Sequence, residues 1–342
     1  MRRTAPALFL AAWVAACAPS ADLPALHLFE GSTMGTTFAV RIVPDGRGED
    51  RIDALRVAVE AVLARIDGRM STWRPESELS RFNRLRSTEP FRVSADTLAV
   101  FRHALEVSAL TGGAFDVTVA PLVDAWGFGP AGRPAAFPDG GEIEQLRARV
   151  GYRQLRLDGA ASTVRKLDPL LAADLSALAK GYAVDQVAEM LRAERFESYL
   201  VEVGGEVRTR GRSERGDAWR VGIERPGPGP PDVQRLLGLS NLALATSGDY
   251  RNYYEVEGRR VSHTIDPRTG RPVTHRLASA SVIDPLCVRA DALATALEVL
   301  GPEDGFALAV EQGWAALLIA RRADGTLDER ETPAFASLNA GL

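Results

Sequence analysis

The alanine-rich run Ala290–Thr295 contains one carboxylate and one hydroxyl at helical spacing. Asp291 and Thr295 are four residues apart and would lie on one helix face. With nearby backbone carbonyls they offer hard oxygen ligands, which suit Mg²⁺ rather than Zn²⁺. The spacing by itself favours a structural alternative, in which Asp291 stabilises the positive end of the helix and Thr295 bonds back to that helix.

A second polar group lies in the run Asp174–Tyr182. Ser176 is predicted to cap a helix, so Asp174 and Lys180 flank a helix start, where a phosphate group can bind. A lysine in the first helical turn opposes the helix dipole unless an anion compensates its charge. A surface lysine paired with Asp174 explains the same pattern equally well.

A third candidate is His263, which follows a predicted strand and precedes a turn that contains proline and glycine. A neutral imidazole at the mouth of a loop can accept a proton from a hydroxyl near pH 7. A single histidine is more often structural. The other three histidines are assigned structural roles: His27 in an N-terminal tether, His103 within a helix, and His275.

The elements that must position these residues are mixed. Helices are predicted over 51–67, 96–111, 176–195 and 290–300, and a strand over 38–43. Residues 155–157 and 163–166 are predicted to form a hairpin, and 127–141 a long surface excursion. Further strands of one sheet are predicted over 199–203, 206–210, 219–223, 242–246, 253–257 and 279–283. Without regular β-α-β alternation, repeat or linker, the pattern predicts a single compact α+β domain of mixed sheets and flanking helices.

The totals set the class of protein. The chain has 342 residues, of which 46% are hydrophobic and 25% charged, and its formal net charge is −4. This balance is typical of a globular protein that buries a full core. Acidic and basic residues are interleaved, so the basic stripe that nucleic-acid binding requires is missing, and no nucleic-acid partner is expected.

The N-terminus has the pattern of a secretory signal. Arg2 and Arg3 precede an apolar stretch over 5–14, and the run Val14–Cys17 resembles a lipobox, after which Cys17 would carry lipid. An ordinary signal with a stray cysteine is the alternative. We therefore expect a lipoprotein-type signal peptide over 1–16, a lipidated tether over 17–26 and a catalytic domain over 27–342. Cys287 then has no disulfide partner. The expected location is the periplasmic side of a bacterial envelope, at the inner membrane.

No common nucleotide-binding or hydrolase motif is present. The three segments above, together with ordered blocks at 34–37, 71–75, 77–83, 113–119, 126–129 and 245–253, resemble the ApbE family of FAD:protein FMN transferases. The blocks extend over essentially the whole mature chain. No single block is decisive, but the ordered set is.

The resemblance implies that FAD is a substrate, that Mg²⁺ is required, and that FMN is esterified through its phosphate to a threonine or serine of another protein while AMP leaves. The acceptors would be subunits of membrane redox complexes with a short flavinylation motif. His263 matches the proposed base, and Lys180 would stabilise charge on the leaving group. The implied metal site comprises Ala177, Asp291, Ala294 and Thr295. The implied flavin and nucleotide contacts are Met34, Trp73, Ala114, Phe115, Asp116, Asp174, Lys180 and Ile265, with Trp73 at a position where several members carry tyrosine.

Two other functions stay open from the sequence. Water could replace the protein hydroxyl, which gives an FAD pyrophosphatase that releases FMN and AMP. A non-catalytic lipoprotein that stores or delivers flavin is an alternative of another class, although binding alone needs neither a metal site nor a base.

Overall fold

The computed structural model describes residues 25–44, 46, 49–227, 229–230, 232–256 and 259–339. The strands are β1 His27–Thr33, β2 Thr36–Ile42, β3 Phe91–Arg92, β4 Leu155–Asp158, β5 Thr163–Lys166, β6 Tyr199–Val203, β7 Glu206–Arg210, β8 Trp219–Glu224, β9 Val233–Leu239, β10 Ala243–Gly248, β11 Tyr253–Val256, β12 Arg259–Ser262, β13 Ile265–Asp266, β14 Arg271–Pro272, β15 Leu277–Asp284, β16 Ala315–Arg321 and β17 Leu327–Glu331. The helices are α1 Glu49–Met70, α2 Glu78–Arg84, α3 Ala95–Leu110, α4 Ala120–Ala125, α5 Gly140–Arg147, α6 Ser176–Ala193, α7 Cys287–Glu311 and α8 Pro333–Asn339.

One antiparallel sheet of eight strands organises the domain, in the order β1-β2-β6-β7-β10-β15-β16-β17. Helices α1, α3, α6 and α7 pack on one face and form the larger core, while β8, β9 and α8 cover part of the other. The central strand β15 is buried over seven of its eight residues, as expected for a strand covered on both faces. The predicted single α+β domain is confirmed.

Several predicted elements are also confirmed. The predicted helices at 51–67 and 96–111 correspond to α1 and α3, and the hairpin at 155–166 is β4 and β5. Strands β6 and β7 have the predicted bounds and pair with each other. These are the segments where hydrophobic periodicity and a turn signal agree.

Two strands were assigned to the wrong sheet, because the alternation of apolar residues along a strand does not identify the strand with which it pairs. The strand at 219–223 pairs with β9, and the one at 253–257 pairs with β12, so both form separate two-stranded ribbons. His27 lies in β1 and pairs with Ile42 rather than in a tether. The excursion predicted at 127–141 is confirmed up to residue 139, and α5 begins at Gly140. The helix at 290–300 is longer, and Gly301, at a φ of 83°, kinks it before Pro302.

The predictions for residues 1–24, including the signal peptide and the lipidated Cys17, concern a segment outside the described residues. In the part of the chain that is described, no helix is both long and apolar enough to cross a membrane.

Candidate active site

Helices α6 and α7 cross at Gly181, and this crossing places Asp291. A Cβ atom on residue 181 would lie 2.5 Å from the backbone oxygen of Cys287 and 2.9 Å from the Cβ of Asp291. The Gly181 amide donates a hydrogen bond to Asp291 Oδ2 at 3.0 Å. Because glycine has no side chain, the two backbones approach closely enough for a carboxylate on α7 to reach the backbone of α6.

The first turn of α7 is fixed by Asp185 of α6. The Asp185 carboxylate accepts hydrogen bonds from the amides of Cys287 (3.0 Å) and Val288 (2.9 Å), and Arg208 of β7 donates to it at 2.8 Å. It supplies the cap that Leu286, at the cap position, does not. Since α7 begins at Cys287, Asp291 lies beyond the first turn, so its position does not fit the structural alternative at the helix end.

Lys180 lies between two buried carboxylates. Its Nζ is 3.2 Å from Glu206 Oε1 and 3.7 Å from Asp291 Oδ2. Burial raises the pKa of both acids, that of Glu206 to about 8, and the lysine charge opposes both shifts. Burial alone would lower the pKa of Lys180, but the charges of Asp291 and Glu206 raise it well above its usual range. Lys180 is therefore a fixed positive charge. Its acidic partners are Glu206 and Asp291, and not Asp174 as in the alternative of a surface ion pair.

The oxygen donors fit a hard cation. Asp291, Thr295 and Ala177 line one cavity. The Gly181 amide donates to Asp291 Oδ2 at 3.0 Å, and Ala177 lies one helical turn before Gly181 in α6. Among the residues placed by the structure, no three His, Cys, Asp or Glu converge on a metal position, so hydroxyl and carbonyl oxygens must complete any site. Ala294 is fully buried and is not brought to the cavity surface.

The cavity has a volume of about 820 Å³, within the range of about 300–1,000 Å³ typical of ligand pockets. It extends from the turn between β1 and β2 to the loop after β12. Apart from Ala294, it gathers every predicted site residue of the domain: Met34, Trp73, Ala114, Phe115, Asp116, Asp174, Ala177, Lys180, His263, Ile265, Asp291 and Thr295.

The carboxylates of Asp116 and Asp174 accept hydrogen bonds from backbone amides near the cavity. Asp116 accepts hydrogen bonds from the amides of Thr118 (2.8 Å) and Tyr152 (2.6 Å), which orders the segment that presents Ala114 and Phe115 to the cavity. Burial raises the pKa of Asp116, and these bonds oppose the shift. Asp174 accepts the amide of Ser176 at 2.8 Å. Ser176 is the first residue of α6 rather than its cap, which corrects the prediction.

His263 follows β12 directly, as predicted, and lies at the cavity wall. Its amide donates to the carbonyl of Asn252 at 3.3 Å, and its ring makes a T-shaped contact with Phe128, with the ring centroids 6.2 Å apart. Its buried Nδ1 has no partner among the residues described. Burial lowers the pKa of His263, so the imidazole is neutral at neutral pH and can accept a proton.

Trp73 and Met34 also line the cavity. The Trp73 side chain follows α1 and is 66% exposed, so its indole ring is accessible to a stacking partner. Met34 occupies the turn between β1 and β2 with a φ of 50°, a conformation that residues other than glycine rarely adopt.

Glu206 was not predicted as a site residue, and Ser247 and Asn252 were quoted only within the matching block at 245–253, with no role assigned. Ser247 Oγ lies 2.9 Å from Thr295 Oγ1, and all three residues line the cavity. The local signal for Glu206 was the Gly204-Gly205 turn that precedes it. Pairing of β7 with β10 brings Glu206 to Lys180 of α6 and Ser247 to Thr295 of α7, and no short sequence motif encodes this arrangement.

A cavity that combines a buried carboxylate, a fixed lysine, a hydroxyl and a neutral histidine in an α+β domain defines an enzyme equipped to transfer a phosphate-containing group. The ApbE family model matches residues 34–318, and the chain belongs to this family.

Relatives agree over nearly their full length. A Vibrio cholerae serotype O1 protein named FAD:protein FMN transferase is 44% identical over 300 residues, which are 88% of this chain and 89% of that protein. A Haemophilus influenzae protein of the same name is 39% identical over 323 residues, 93% and 92% of the two chains.

Solved structures are equally similar. The flavin transferase ApbE from Vibrio cholerae has a TM-score of 0.82 at 41% identity and covers 91% of this chain and 98% of its own. The apo form of the flavinyl transferase ApbE from Pseudomonas stutzeri has a TM-score of 0.84 at 40% identity, with 92% and 97% covered.

Proposed function

We propose that the chain is an FAD:protein FMN transferase, which moves FMN from FAD to a threonine or serine hydroxyl of an acceptor protein and releases AMP in a Mg²⁺-dependent reaction. The observation that carries this proposal is the meeting of Lys180, Asp291 and His263 in one cavity. The two relatives named FAD:protein FMN transferase are 44% and 39% identical to this chain, which supports the same activity here.

The residues fit phosphoryl transfer. The acceptor hydroxyl oxygen attacks the phosphorus of the FMN half, His263 accepts the hydroxyl proton, and the bond from that phosphorus to the bridging oxygen breaks so that AMP leaves with its electron pair. Lys180 offsets the charge that develops on the bridging oxygen. Mg²⁺ held by Asp291, Thr295 and the Ala177 carbonyl would supply further neutralisation of the pyrophosphate. Trp73 is proposed to stack on an aromatic ring of FAD.

The deciding experiment incubates the protein with FAD, Mg²⁺ and a candidate acceptor subunit from a membrane redox complex. We expect the acceptor to gain the mass of FMN on a serine or threonine. Production of AMP and free FMN without any adduct on a series of acceptors would instead establish an FAD pyrophosphatase. FAD that stays bound and intact in Mg²⁺ would establish the non-catalytic flavin carrier.

The base assignment has its own test. His263→Gln should slow transfer by about 10²–10⁴-fold, the usual contribution of a general base, and leave FAD affinity nearly unchanged. Burial lowers the pKa of His263 below 6.5, and the imidazole acts as a base only when it is deprotonated. The wild-type rate should therefore increase with pH below 6.5 and become constant by neutrality, and the variant should lack this increase. His103→Gln, in α3 and outside the cavity, is the control. Equal losses in rate and FAD affinity in the His263 variant would refute a base role.

Asp291→Ala should abolish turnover and Mg²⁺ dependence together, and unchanged activity would remove the metal assignment.

We also propose a lipid anchor at Cys17 on the periplasmic side of the envelope, supported by the lipobox-like run at 14–17. Cells supplied with labelled fatty acid should label the wild-type chain and not Cys17→Ser; labelling of both would refute the anchor.

A further inference from the structure

The Asp291 carboxylate has two competing partners in the proposed mechanism. Its Oδ2 already accepts the Gly181 amide and lies 3.7 Å from the ammonium of Lys180. A divalent cation bound to this carboxylate must compete with that fixed positive charge. Some other group has to hold Lys180 if Asp291 is to remain available.

Glu206 is placed to do this. Its Oε1 is 3.2 Å from Lys180 Nζ, nearer than Asp291, and its side chain is only 4% exposed. At Gly204, whose φ is 61°, a Cβ atom would lie 3.1 Å from Lys180 Cδ and 2.8 Å from Thr36 Cγ2. The lysine stem therefore runs along the backbone at the start of β7, the strand on which Glu206 lies.

Glu206 also has unused capacity. Its Oε2 is buried and has no hydrogen-bond partner among the residues described. An ammonium group has three N–H donors, so it can donate to both oxygens of one carboxylate. When a cation takes Asp291, Lys180 can move fully onto Glu206 without losing a charged partner.

We propose that Glu206 is a positioning residue that holds the Lys180 ammonium away from Asp291 and thereby leaves Asp291 available to a divalent cation. This inference rests on the metal site of the proposed function. Glu206 is not proposed to contact the substrate, and its effect is exerted through Lys180.

The test measures Mn²⁺ binding to the full chain by electron paramagnetic resonance, with no FAD and no acceptor. Four proteins form the double-mutant cycle: the wild type, Glu206→Gln, Lys180→Met and the double variant. Glu206→Asp and Asp291→Ala are measured beside them. Circular dichroism and urea unfolding check that each variant is folded.

In the wild-type background, Glu206→Gln should weaken Mn²⁺ binding at least about fivefold, as expected for neighbouring charges that share a partner. In the Lys180→Met background the same substitution should change the affinity less than about twofold, because the competing ammonium is gone. Glu206→Asp, which keeps the charge, should restore part of the loss.

Equal weakening in both backgrounds would overturn the proposal, since Glu206 would then act only through its own charge. An unchanged affinity in Glu206→Gln would overturn it too, as would wild-type Mn²⁺ binding that does not depend on Asp291. Failure of the transferase function is read separately, from the absence of FMN adducts on acceptors, and leaves the Mn²⁺ results intact.

Discussion

The crossing of α6 and α7 makes a quantitative prediction for Gly181→Ala. In a helix interior, alanine is normally more stable than glycine by about 0.5–1 kcal/mol. Here the new Cβ would meet Cys287 O at 2.5 Å and Asp291 Cβ at 2.9 Å. Overpacking of a core costs about 1–3 kcal/mol, and backbone atoms cannot rotate away, so the cost lies toward the upper end. We expect a net loss of about 1–2 kcal/mol in the free energy of unfolding.

Urea unfolding measures this change, and Gly68→Ala is the matched control. Gly68 lies within α1, and a Cβ there meets nothing within 4 Å. The control should therefore gain about 0.5–1 kcal/mol from helix propensity alone. Gly181→Ala should also weaken Mn²⁺ binding, because it displaces Asp291 from the Gly181 amide. If both variants are stabilised equally, the close approach of the two helices is wrong.

Three further predictions follow from single side chains. Asp185→Ala leaves Arg208 with Glu189 as its remaining acidic partner and leaves two helix amides without an acceptor, so urea unfolding should show a loss of about 1–3 kcal/mol. A loss below about 0.5 kcal/mol would mean that another group caps α7. Burial and Asp249 raise the pKa of Glu298 well above 4.5, so its neutral form is the one that folding favours. Above pH 4.5 the wild type should lose stability relative to Glu298→Gln by up to about 1.4 kcal/mol per pH unit, and parallel pH profiles would contradict this. Trp73→Ala should leave the unfolding midpoint unchanged, because the side chain is exposed, and should weaken FAD binding by about 1–3 kcal/mol in a fluorescence titration. An unchanged FAD affinity would show that the indole does not stack on FAD.

Much of the fold was accessible from local patterns. Apolar residues at three- and four-residue spacing predict helices α1, α3 and α6, because one face of each helix packs into the core beside the sheet. Strands β6 and β7 flank a Gly-Gly turn. The ribbons formed by β8 with β9 and by β11 with β12 could not be predicted as separate, since alternation of burial looks the same in any half-buried strand.

The sequence by itself determined which residue types are available for chemistry: the Asp291 and Thr295 spacing on one helix face, Lys180 near a helix start, and His263 after a strand. It also determined the resemblance to the ApbE family, which is carried by the order of the blocks along the chain.

Only the tertiary structure decided what these residues touch. Lys180 pairs with Glu206 and Asp291, which are 26 and 111 positions away in the numbering of the chain, and not with Asp174 in its own segment. The contact exists because Gly181 lets two helices meet, because Asp185 caps the second helix, and because β7 brings Glu206 alongside. Such contacts depend on packing between elements distant in sequence, and local spacing carries no information about them.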